Sequence, residues 1–335
     1  MRIIIDAFGG DNAPVEIVKG AVLAAEEFDC EICLVGIKEK VEEELSKYEY
    51  KKDKISVYNA DEIIEVCEVP TQAIREKKNS SLVVGLELLK SGEGDAFITA
   101  GSTGAYLAGA FRYVGRIKGI KRPALTTVMP TTDGISLLLD VGANADCKPE
   151  FLHQFAIMGS AYSENVLGVK NPKVGLLNIG TEESKGNELT KAAFSLLKEE
   201  KSINFIGNIE ARDVPQGVAD VIVCDGFTGN VVLKLTEGVA MSFYSMIKNV
   251  FKKNLFTKLS ALIVKDGLMG FKKKMDYTEY GGAPLLGIDG VAIKAHGSSN
   301  AKAIKSAVRC AIKFIEADVN GKIKNAILEE EKVEC

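Results

Sequence analysis

The chain has 335 residues, of which 46% are hydrophobic and 26% are charged, so it can bury one large core or two modest ones. A net charge of −4 excludes the overall attraction to nucleic acid or anionic membranes that a strongly basic protein has, and any such affinity must be local. The first apolar run, in "MRIIID", is too short for a signal peptide, and no stretch approaches the roughly 18 apolar residues of a membrane-spanning helix. We therefore expect a cytoplasmic protein.

Nine short apolar runs predict β-strands, and segments between them, such as "VEIVKGAVLAAEEF" and "SSLVVGLELLKSG", have helical spacing. In chain order the runs are "RIIID", "EICLVG", "ISVYNA", "DAFITA", "LTTVMP", "ISLLLDVG", "KVGLLNIG", "NFIGNIE" and "DVIVCDG". This alternation is typical of an α/β protein with a mainly parallel sheet covered on both faces. Because ligands of such sheets bind outside the carboxyl ends of the strands, the turns after these runs form the candidate site.

The turns after the first and the fourth of these runs are rich in glycine. "DAFGGDNAP" follows the first run and contains Asp6, and "ITAGSTGA" places residues 101–104 before a helix that we expect to begin near Ala105. Backbone N–H groups at such a helix start suit a phosphate or carboxylate. The second turn is neither a P-loop nor a dinucleotide fingerprint, and it lacks the G-x-S-x-G pattern that would make Ser102 a covalent nucleophile.

Later turns combine glycine with acidic and amide side chains. "LLLDVGANADCKPE" contains Asp140, Asn144 and Asp146, but no D-x-D spacing follows, so we expect no bound metal. "VCDGFTGN" and "AHGSSN" place small polar residues before two further helices. The turn "NIGTEESKGNE" displays Lys185 beside Glu182 and Glu183. A lysine in this setting suits an anionic ligand or a developing oxyanion, although a surface lysine balanced by neighbouring acids is the alternative.

His153 and His296 are the only histidines. His153 lies in the apolar helical segment "EFLHQFAIMG" and is predicted to be a hydrogen-bonded core residue, whereas His296 flanks a Gly-Ser-Ser turn and is the better site candidate. The spacing reveals neither a Ser–His–Asp nor a Cys–His arrangement. If the protein is an enzyme, direct attack by a bound substrate is therefore favoured over a covalent intermediate.

One segment departs from the average composition. Residues 248–274 contain eight lysines and one acid, a local charge of +7, with apolar side chains at helical spacing. Gly267 and Gly270 are expected to interrupt the helix and leave Leu268, Met269 and Phe271 in a turn. The segment is either a core-facing helix with solvated lysines or a helix in a membrane interface, and the apolar turn favours the membrane. The predicted membrane contacts are Leu255, Leu259, Leu262, Ile263, Leu268 and Phe271.

Six segments, in this order, resemble the bacterial phosphate acyltransferase (PlsX) family. They are "DAFGGDNAP", "AGSTGA", "DVGAN", "GLLNIGTEESKGNE", "DGFTGN" and "YGGAPLLGIDG…HGSSN". The resemblance covers nearly the whole chain. Phe8 stands where methionine is common in the family, and Ser102 where asparagine is common.

The resemblance implies that inorganic phosphate attacks the thioester of a long-chain acyl group on acyl carrier protein, giving acyl phosphate for a downstream glycerol-3-phosphate acyltransferase of phospholipid synthesis. It implies a three-layer α/β/α sandwich related to the phosphotransacetylase and isocitrate-dehydrogenase folds, usually a homodimer on the inner face of the cell membrane. It suggests no cofactor and no nucleic-acid partner. We expect residues 1–335 to form one domain with a basic amphipathic helical projection at about 240–280.

Within this family pattern we assign Lys185 a charge role, at phosphate or oxyanion, and Asn230 the orientation of phosphate or carbonyl. The other predicted substrate-binding residues are Asp6, Gly101, Ser102, Thr103, Gly104, Asn144, Asn178, Gly180, Thr181, Glu182, Gly186, Asn187, Asp225, Thr228, Gly229, His296 and Ser298. Three alternatives stay open: a phosphotransacetylase acting on acyl-coenzyme A, a metal- and NAD-dependent dehydrogenase of the related fold, and a non-catalytic lipid-carrier or scaffold protein.

Overall fold

The computed structural model describes residues 1–274 and 281–333, with the side chains of all of these except 255, 271–274 and 329–333. The strands are β1 (Arg2–Asp6), β2 (Glu31–Gly36), β3 (Ile55–Asn59), β4 (Ala96–Thr99), β5 (Ala124–Pro130), β6 (Ile135–Leu139), β7 (Lys173–Asn178), β8 (Asn204–Glu210), β9 (Val221–Val223), β10 (Ala283–Leu286) and β11 (Ala292–Lys294). The helices are α1 (Val15–Glu27), α2 (Lys38–Leu45), α3 (Pro70–Glu76), α4 (Ser81–Ser91), α5 (Thr103–Gly109), α6 (Pro149–Asn165), α7 (Glu188–Glu199), α8 (Gly226–Lys252), α9 (Leu255–Ile263), α10 (Lys265–Lys274), α11 (Ala301–Glu316) and α12 (Val319–Val333), with a π-helical turn at Ala110–Val114 and a 3₁₀ turn at Ala211–Gln216.

All nine predicted strands are present as β1 to β9. The sequence missed β10 and β11, which have four and three residues and are separated by a glycine-containing turn. Strands this short carry too little periodicity to be recognised without their neighbours. Both of them lie inside the sheet, between β4 and β5, and their position is therefore set by tertiary pairing.

Two apolar layers cover the two faces of the sheet, as the alternation of side chains along a strand requires. On β1, Ile3 and Ile5 belong to one buried cluster and Ile4 to the other. The first cluster includes residues of α1, α6 and α11, and the second includes residues of α4 and α5. The predicted α/β class with helices on both faces is confirmed.

The strand order is β3-β2-β1-β4-β11-β10-β5-β6-β9-β7-β8, and β10 and β5 join two parallel halves that run in opposite directions. The end of β11, Lys294, pairs with Ala283, while the end of β6, Leu139, pairs with Thr126. Since Leu285 pairs with Leu125, the two strand ends differ by about one residue in height across the sheet. The carboxyl ends of both halves therefore face each other near its middle.

A helical projection leaves this body at the carboxyl end of α8. It consists of α8 from Leu235 onward, α9 and α10, and α9 packs against both other helices. The predicted turn at 267–271 is wrong, because Gly267 and Gly270 lie within α10. A helical glycine costs only about 1 kcal/mol, which a helix can absorb. The breaks occur instead at Val264, which ends α9, and at Asn254, whose side chain caps α9 by accepting a hydrogen bond from the Thr257 N–H at 2.9 Å.

None of the described helices is both long enough and apolar enough to cross a bilayer. His153, predicted to be a hydrogen-bonded core residue, is buried, and its Nε2 lies 3.0 Å from a carboxylate oxygen of Glu200.

Candidate active site

A cavity of about 200 Å³ lies where the carboxyl ends of the two half-sheets meet. We call it the central cavity, and its lining residues are Thr103, Leu125, Thr127, Val141, Asn230, Leu233, Lys234, Glu237, Gly282, Ala283, Lys294, Ala295, His296 and Gly297. The lining therefore includes three residues predicted from the sequence: Thr103, Asn230 and His296. It also contains two lysines that the sequence analysis did not select.

Lys294 is the most buried charged group of the central cavity, with 7% of its surface exposed. It is the last residue of β11, and its ammonium donates a hydrogen bond to the Ala295 carbonyl oxygen. Burial lowers the pKa of the Lys294 ammonium to about 8, although the charge of Asp6 acts in the opposite direction. The sequence did contain a signal for Lys294, because "VAIKA" places this lysine inside an otherwise apolar run. Lysine side chains are almost never fully buried unless they are paired.

Asn230 is positioned by the start of α8. Asp225 caps this helix by accepting hydrogen bonds from the N–H and the hydroxyl of Thr228, at 2.8 and 2.7 Å. A Cβ atom at Gly229 would lie 2.0 Å from the Asp140 carbonyl oxygen, so only glycine lets the helix approach the end of β6 this closely. The amino end of α8 and its positive dipole are thereby held against the loop that follows β6.

Asp140 organises that loop. One of its carboxylate oxygens accepts from the N–H groups of Leu125, Gly142 and Ala143, and the other accepts from the Asn144 N–H at 2.7 Å. Burial raises the pKa of the Asp140 carboxyl, and these hydrogen bonds lower it. The Asn144 side chain donates to the Pro123 carbonyl at 2.7 Å and to Asp140 at 2.8 Å. Asn144 therefore shapes the loop, and it does not line the central cavity.

Asp6 also lies beneath the site and is not part of the cavity lining. Its carboxylate accepts from the Thr99 hydroxyl at 2.7 Å and from the Phe8 N–H at 3.1 Å. Burial raises the pKa of the Asp6 carboxyl, while its hydrogen bonds and the charge of Lys294 lower it. The Thr99 hydroxyl in turn accepts from the Gly101 N–H at 2.9 Å, so Asp6 fixes the turn at 101–104 through Thr99.

Ser102, the residue that departs from the family pattern, caps α5. Its hydroxyl accepts from the Ala105 N–H at 3.4 Å. Serine and asparagine are comparably good at this position of a helix, so the departure preserves the local fold. Gly104 must be small, because a Cβ atom there would lie 2.6 Å from Pro70. These two residues therefore hold Thr103 at the edge of the central cavity.

His296 is oriented by Ser298. Its Nδ1 accepts from the Ser298 N–H at 3.2 Å and lies 2.9 Å from the Ser298 hydroxyl. Partial burial, followed by the charge of Lys234, lowers the pKa of the His296 imidazole. Because Nδ1 accepts the hydrogen bond from the Ser298 N–H, the neutral ring carries its proton on Nε2. Lys234, on α8, is paired with Glu237 at 3.1 Å.

The turn that carries Lys185 follows β7, the strand next to β9. Asn178 shapes the turn by donating to the Lys185 carbonyl at 3.2 Å, and Asn187 caps α7. Gly186 has a φ of +100°, and a Cβ atom there would lie 2.1 Å from the Thr190 hydroxyl.

The Lys185 side chain itself is exposed, and Lys185 is not among the residues that line the central cavity. Thr181 and Glu182 are exposed on the same turn, where Gly180 lies close to the Lys185 side chain. Glu183 forms an ion pair with Lys198 at 2.6 Å. The structure thus places Lys185 on the turn after β7, the strand beside the one that leads into the helix of Asn230, and the catalytic role of Lys185 stays a prediction.

Within residues 1–274 and 281–333, no group of three or more His, Cys, Asp and Glu side chains is arranged to hold a metal ion. The Glu237 carboxylate in the central cavity is paired with Lys234, and the other polar side chains of the lining are ammonium, amide, hydroxyl and imidazole groups. Such groups bind an anion and donate to a carbonyl oxygen that gains negative charge.

Comparisons with known proteins decide the family. A family model described as "Fatty acid synthesis protein" matches residues 1–322. A phosphate acyltransferase of Alkaliphilus oremlandii is 58% identical over 95% of both chains. The chain belongs to the phosphate acyltransferase family. A second member of this family, from Halothermothrix orenii, is 53% identical over 98% of both chains.

As a phosphate acyltransferase, the chain is an enzyme that transfers an acyl group to phosphate. Its fold resembles that of a phosphotransacetylase from Streptococcus pyogenes, with a TM-score of 0.67 and 18% identity over 94% of both chains. It also resembles a 4-hydroxythreonine-4-phosphate dehydrogenase from Klebsiella pneumoniae, with a TM-score of 0.52 and 12% identity over 93% of this chain and 98% of that one. The expected relationship to phosphotransacetylase and dehydrogenase folds is confirmed.

Proposed function

We propose that the enzyme transfers a long-chain acyl group from the thioester of acyl carrier protein to inorganic phosphate, and that the acyl phosphate feeds phospholipid synthesis. The observation that carries the proposal is the meeting of Lys294, Asn230 and Thr103 in one cavity at the carboxyl ends of both half-sheets. An ammonium group can bind the phosphate, while neutral hydrogen-bond donors can bind both the phosphate and the thioester carbonyl oxygen.

In this mechanism the protonated Lys294 and the Thr103 hydroxyl bind phosphate, and Asn230 donates to the thioester carbonyl oxygen. An oxygen of hydrogenphosphate forms a bond with the carbonyl carbon, the carbon–sulfur bond breaks, and the leaving thiolate takes the proton that the hydrogenphosphate loses. No enzyme nucleophile is needed, because phosphate is the nucleophile. Lys185, on the neighbouring turn, supplies a second positive charge as phosphate and thioester approach.

The test is incubation of the enzyme with palmitoyl-acyl carrier protein, with and without phosphate. We expect phosphate-dependent release of free carrier thiol and an equal amount of palmitoyl phosphate. Palmitoyl-coenzyme A serves as the second donor. Faster turnover of palmitoyl-coenzyme A would show that the acyl donor is a coenzyme A thioester and not acyl carrier protein. Thioester loss from neither donor would refute acyl transfer.

We also propose that the enzyme works in the cytoplasm as a homodimer bound peripherally to the membrane, beside the glycerol-3-phosphate acyltransferase that uses its product. Exposed apolar side chains of the helical projection support this proposal. Ile263 is 86% exposed, Leu259 and Leu262 are exposed, and Leu268 is half-buried. The side chains of Leu255 and Phe271 and all of residues 275–280 lie outside the described part of the chain.

The single-domain interpretation of residues 1–335 stays a prediction. It is supported by the sheet, whose eleven described strands form one hydrogen-bonded order from β3 to β8. The strands β10 and β11 come from the last third of the chain and lie between β4 and β5, so the two halves of the sheet share them.

A further inference from the structure

A second and larger cavity, of about 620 Å³, lies beside the central cavity. Its apolar wall includes Ile74, Leu107 and Leu285, and three arginines, Arg75, Arg112 and Arg122, also line it. We call it the arginine groove. It contains none of the residues placed above in the reaction, and the sequence analysis had selected only its Asn144.

The three arginines are exposed, and no carboxylate within the described residues forms an ion pair with any of them. Arg122 lies 6.0 Å from the ring centres of Phe111 and Phe151, and Arg112 lies 5.7 Å from that of Tyr113. The guanidinium groups of Arg112 and Arg122 therefore lie near aromatic rings and keep hydrogen-bond donors available to an anion.

Positive charge continues beyond the groove. Residues 112–122, "RYVGRIKGIKR", contain five basic residues and no acid. Lys118 and Lys121 are exposed and lie outside the groove lining. A small anionic ligand would need only the groove, whereas this wider charge is complementary to the surface of an acidic protein.

The groove leads to the reaction site through Asn144, which forms part of its wall. The Asn144 carbonyl accepts from the Gly226 N–H at 2.8 Å, at the start of the helix that carries Asn230. Thr103 of the central cavity and Leu107 of the groove are one turn apart on α5. A long substrate arm in the groove would therefore point its reactive end toward Asn230.

We propose that the arginine groove and residues 112–122 dock the acyl carrier protein, with the phosphorylated arm of the carrier in the groove. This inference rests on the proposed acyl donor. The arm joins an anionic phosphodiester to a mostly uncharged chain that ends in the thioester. The arginines bind the phosphate, the apolar wall receives the chain, and the outer basic residues meet the acidic surface of the carrier.

The docking site is tested by measuring the binding of carrier protein, which does not require turnover. Fluorescein-labelled holo-acyl carrier protein, whose arm is present but not acylated, is titrated with the enzyme and followed by anisotropy. The variant Arg75→Glu with Arg112→Glu should bind at least about tenfold more weakly. The control Lys40→Glu with Lys52→Glu makes the same charge change at exposed positions near β3 and should bind within about twofold of the unmodified enzyme. Circular dichroism checks that both variants are folded.

Apo-carrier protein, which lacks the arm, should bind the unmodified enzyme more weakly than the holo form, and the groove variant should lose this difference. An unchanged dissociation constant of the groove variant would overturn the docking site. Equal dissociation constants of the apo and holo carrier would show that the arm does not bind in the groove. Displacement of the labelled carrier by an equal concentration of coenzyme A would make the groove a coenzyme A site and overturn carrier docking.

The failure of this inference is distinguishable from failure of the proposed function. Groove-dependent binding of holo-carrier without phosphate-dependent thioester loss would refute only the proposed reaction. Thioester loss with an unchanged KM for palmitoyl-acyl carrier protein in the groove variant would refute only the docking site.

Discussion

At the scale of single residues, two lysines have opposite environments. Lys294 is buried in the central cavity, and burial lowers the pKa of its ammonium to about 8, whereas Lys185 is exposed on a neighbouring turn. A buried ammonium has few water molecules to compensate its charge, so an anion that reaches it is bound strongly. Lys294 is therefore the better candidate for direct contact with phosphate.

Substitution of Lys294 should change both the rate and its pH dependence. Lys294→Met should lower kcat/KM for phosphate by about a hundredfold, because a charge that contacts the transition state is lost. In the unmodified enzyme the ammonium is charged below a pH of about 8 and neutral above it, so kcat/KM should fall as the pH rises through that value. Lys294→Arg keeps the charge at all accessible pH values and should shift the fall to higher pH.

Initial rates of acyl-phosphate formation against phosphate concentration and pH provide the measurement. Lys185→Ala is the companion variant, and it too should lose about a hundredfold if its charge acts at phosphate or oxyanion. An identical pH profile in Lys294→Arg and the unmodified enzyme would contradict the role of Lys294. Near-normal activity of Lys185→Ala would remove Lys185 from the mechanism.

At the scale of elements, the helical projection carries the apolar surface that the sequence assigned to the membrane. Phe256 is 82% exposed and was not among the predicted contacts, whereas Leu259, Leu262 and Ile263 were predicted and are exposed. The alternative of a core-facing helix fails for these three, because a core-facing side chain is buried. Lys258 and Lys265 are exposed on the same projection and can meet anionic head groups.

Acidic side chains on α9 of the helical projection should prevent membrane binding. Leu259→Glu with Leu262→Glu should abolish co-sedimentation with phosphatidylglycerol vesicles, because each buried apolar contact is replaced by a charge that the head groups repel. Gln216→Glu with Ser202→Glu adds the same charge to exposed positions of the body and should leave co-sedimentation intact. Unchanged co-sedimentation of the Leu259→Glu, Leu262→Glu variant would exclude the projection as the membrane contact.

At the scale of the whole molecule, α8 presents an apolar stripe that the rest of the described chain leaves uncovered. Leu235, Val239, Phe243, Met246 and Val250 are all exposed and follow one another at intervals of four, four, three and four residues. This spacing places them on one face of the helix, as in a helix that packs against another. A second copy of the chain would cover the stripe in a homodimer.

Light scattering should therefore give twice the chain mass of 36.0 kDa for the unmodified protein. Phe243→Glu with Met246→Glu should give the mass of one chain, because charges at the centre of a helix pair oppose its burial. Lys40→Glu with Lys52→Glu serves as the control and should remain dimeric. A monomeric unmodified protein would refute the dimer.

The sequence by itself determined the α/β class, all nine strands β1 to β9 and the turns from which the site is built, because these depend on local apolar patterning and on glycine at close approaches. It also selected Thr103, Asn230 and His296, which line the central cavity. These features are encoded within a few residues of one another along the chain.

Only the tertiary structure decided which turns share a cavity. The insertion of β10 and β11 between β4 and β5 brings Lys294 to the site, and the antiparallel pairing of β5 with β6 sets the second half-sheet in the opposite direction. In the tertiary structure Lys185 does not line that cavity, and Asp6 and Asn144 support the turns around it through their hydrogen bonds. Strand order and register depend on pairing between residues far apart in the chain, and the spacing of residues along the sequence does not contain that information.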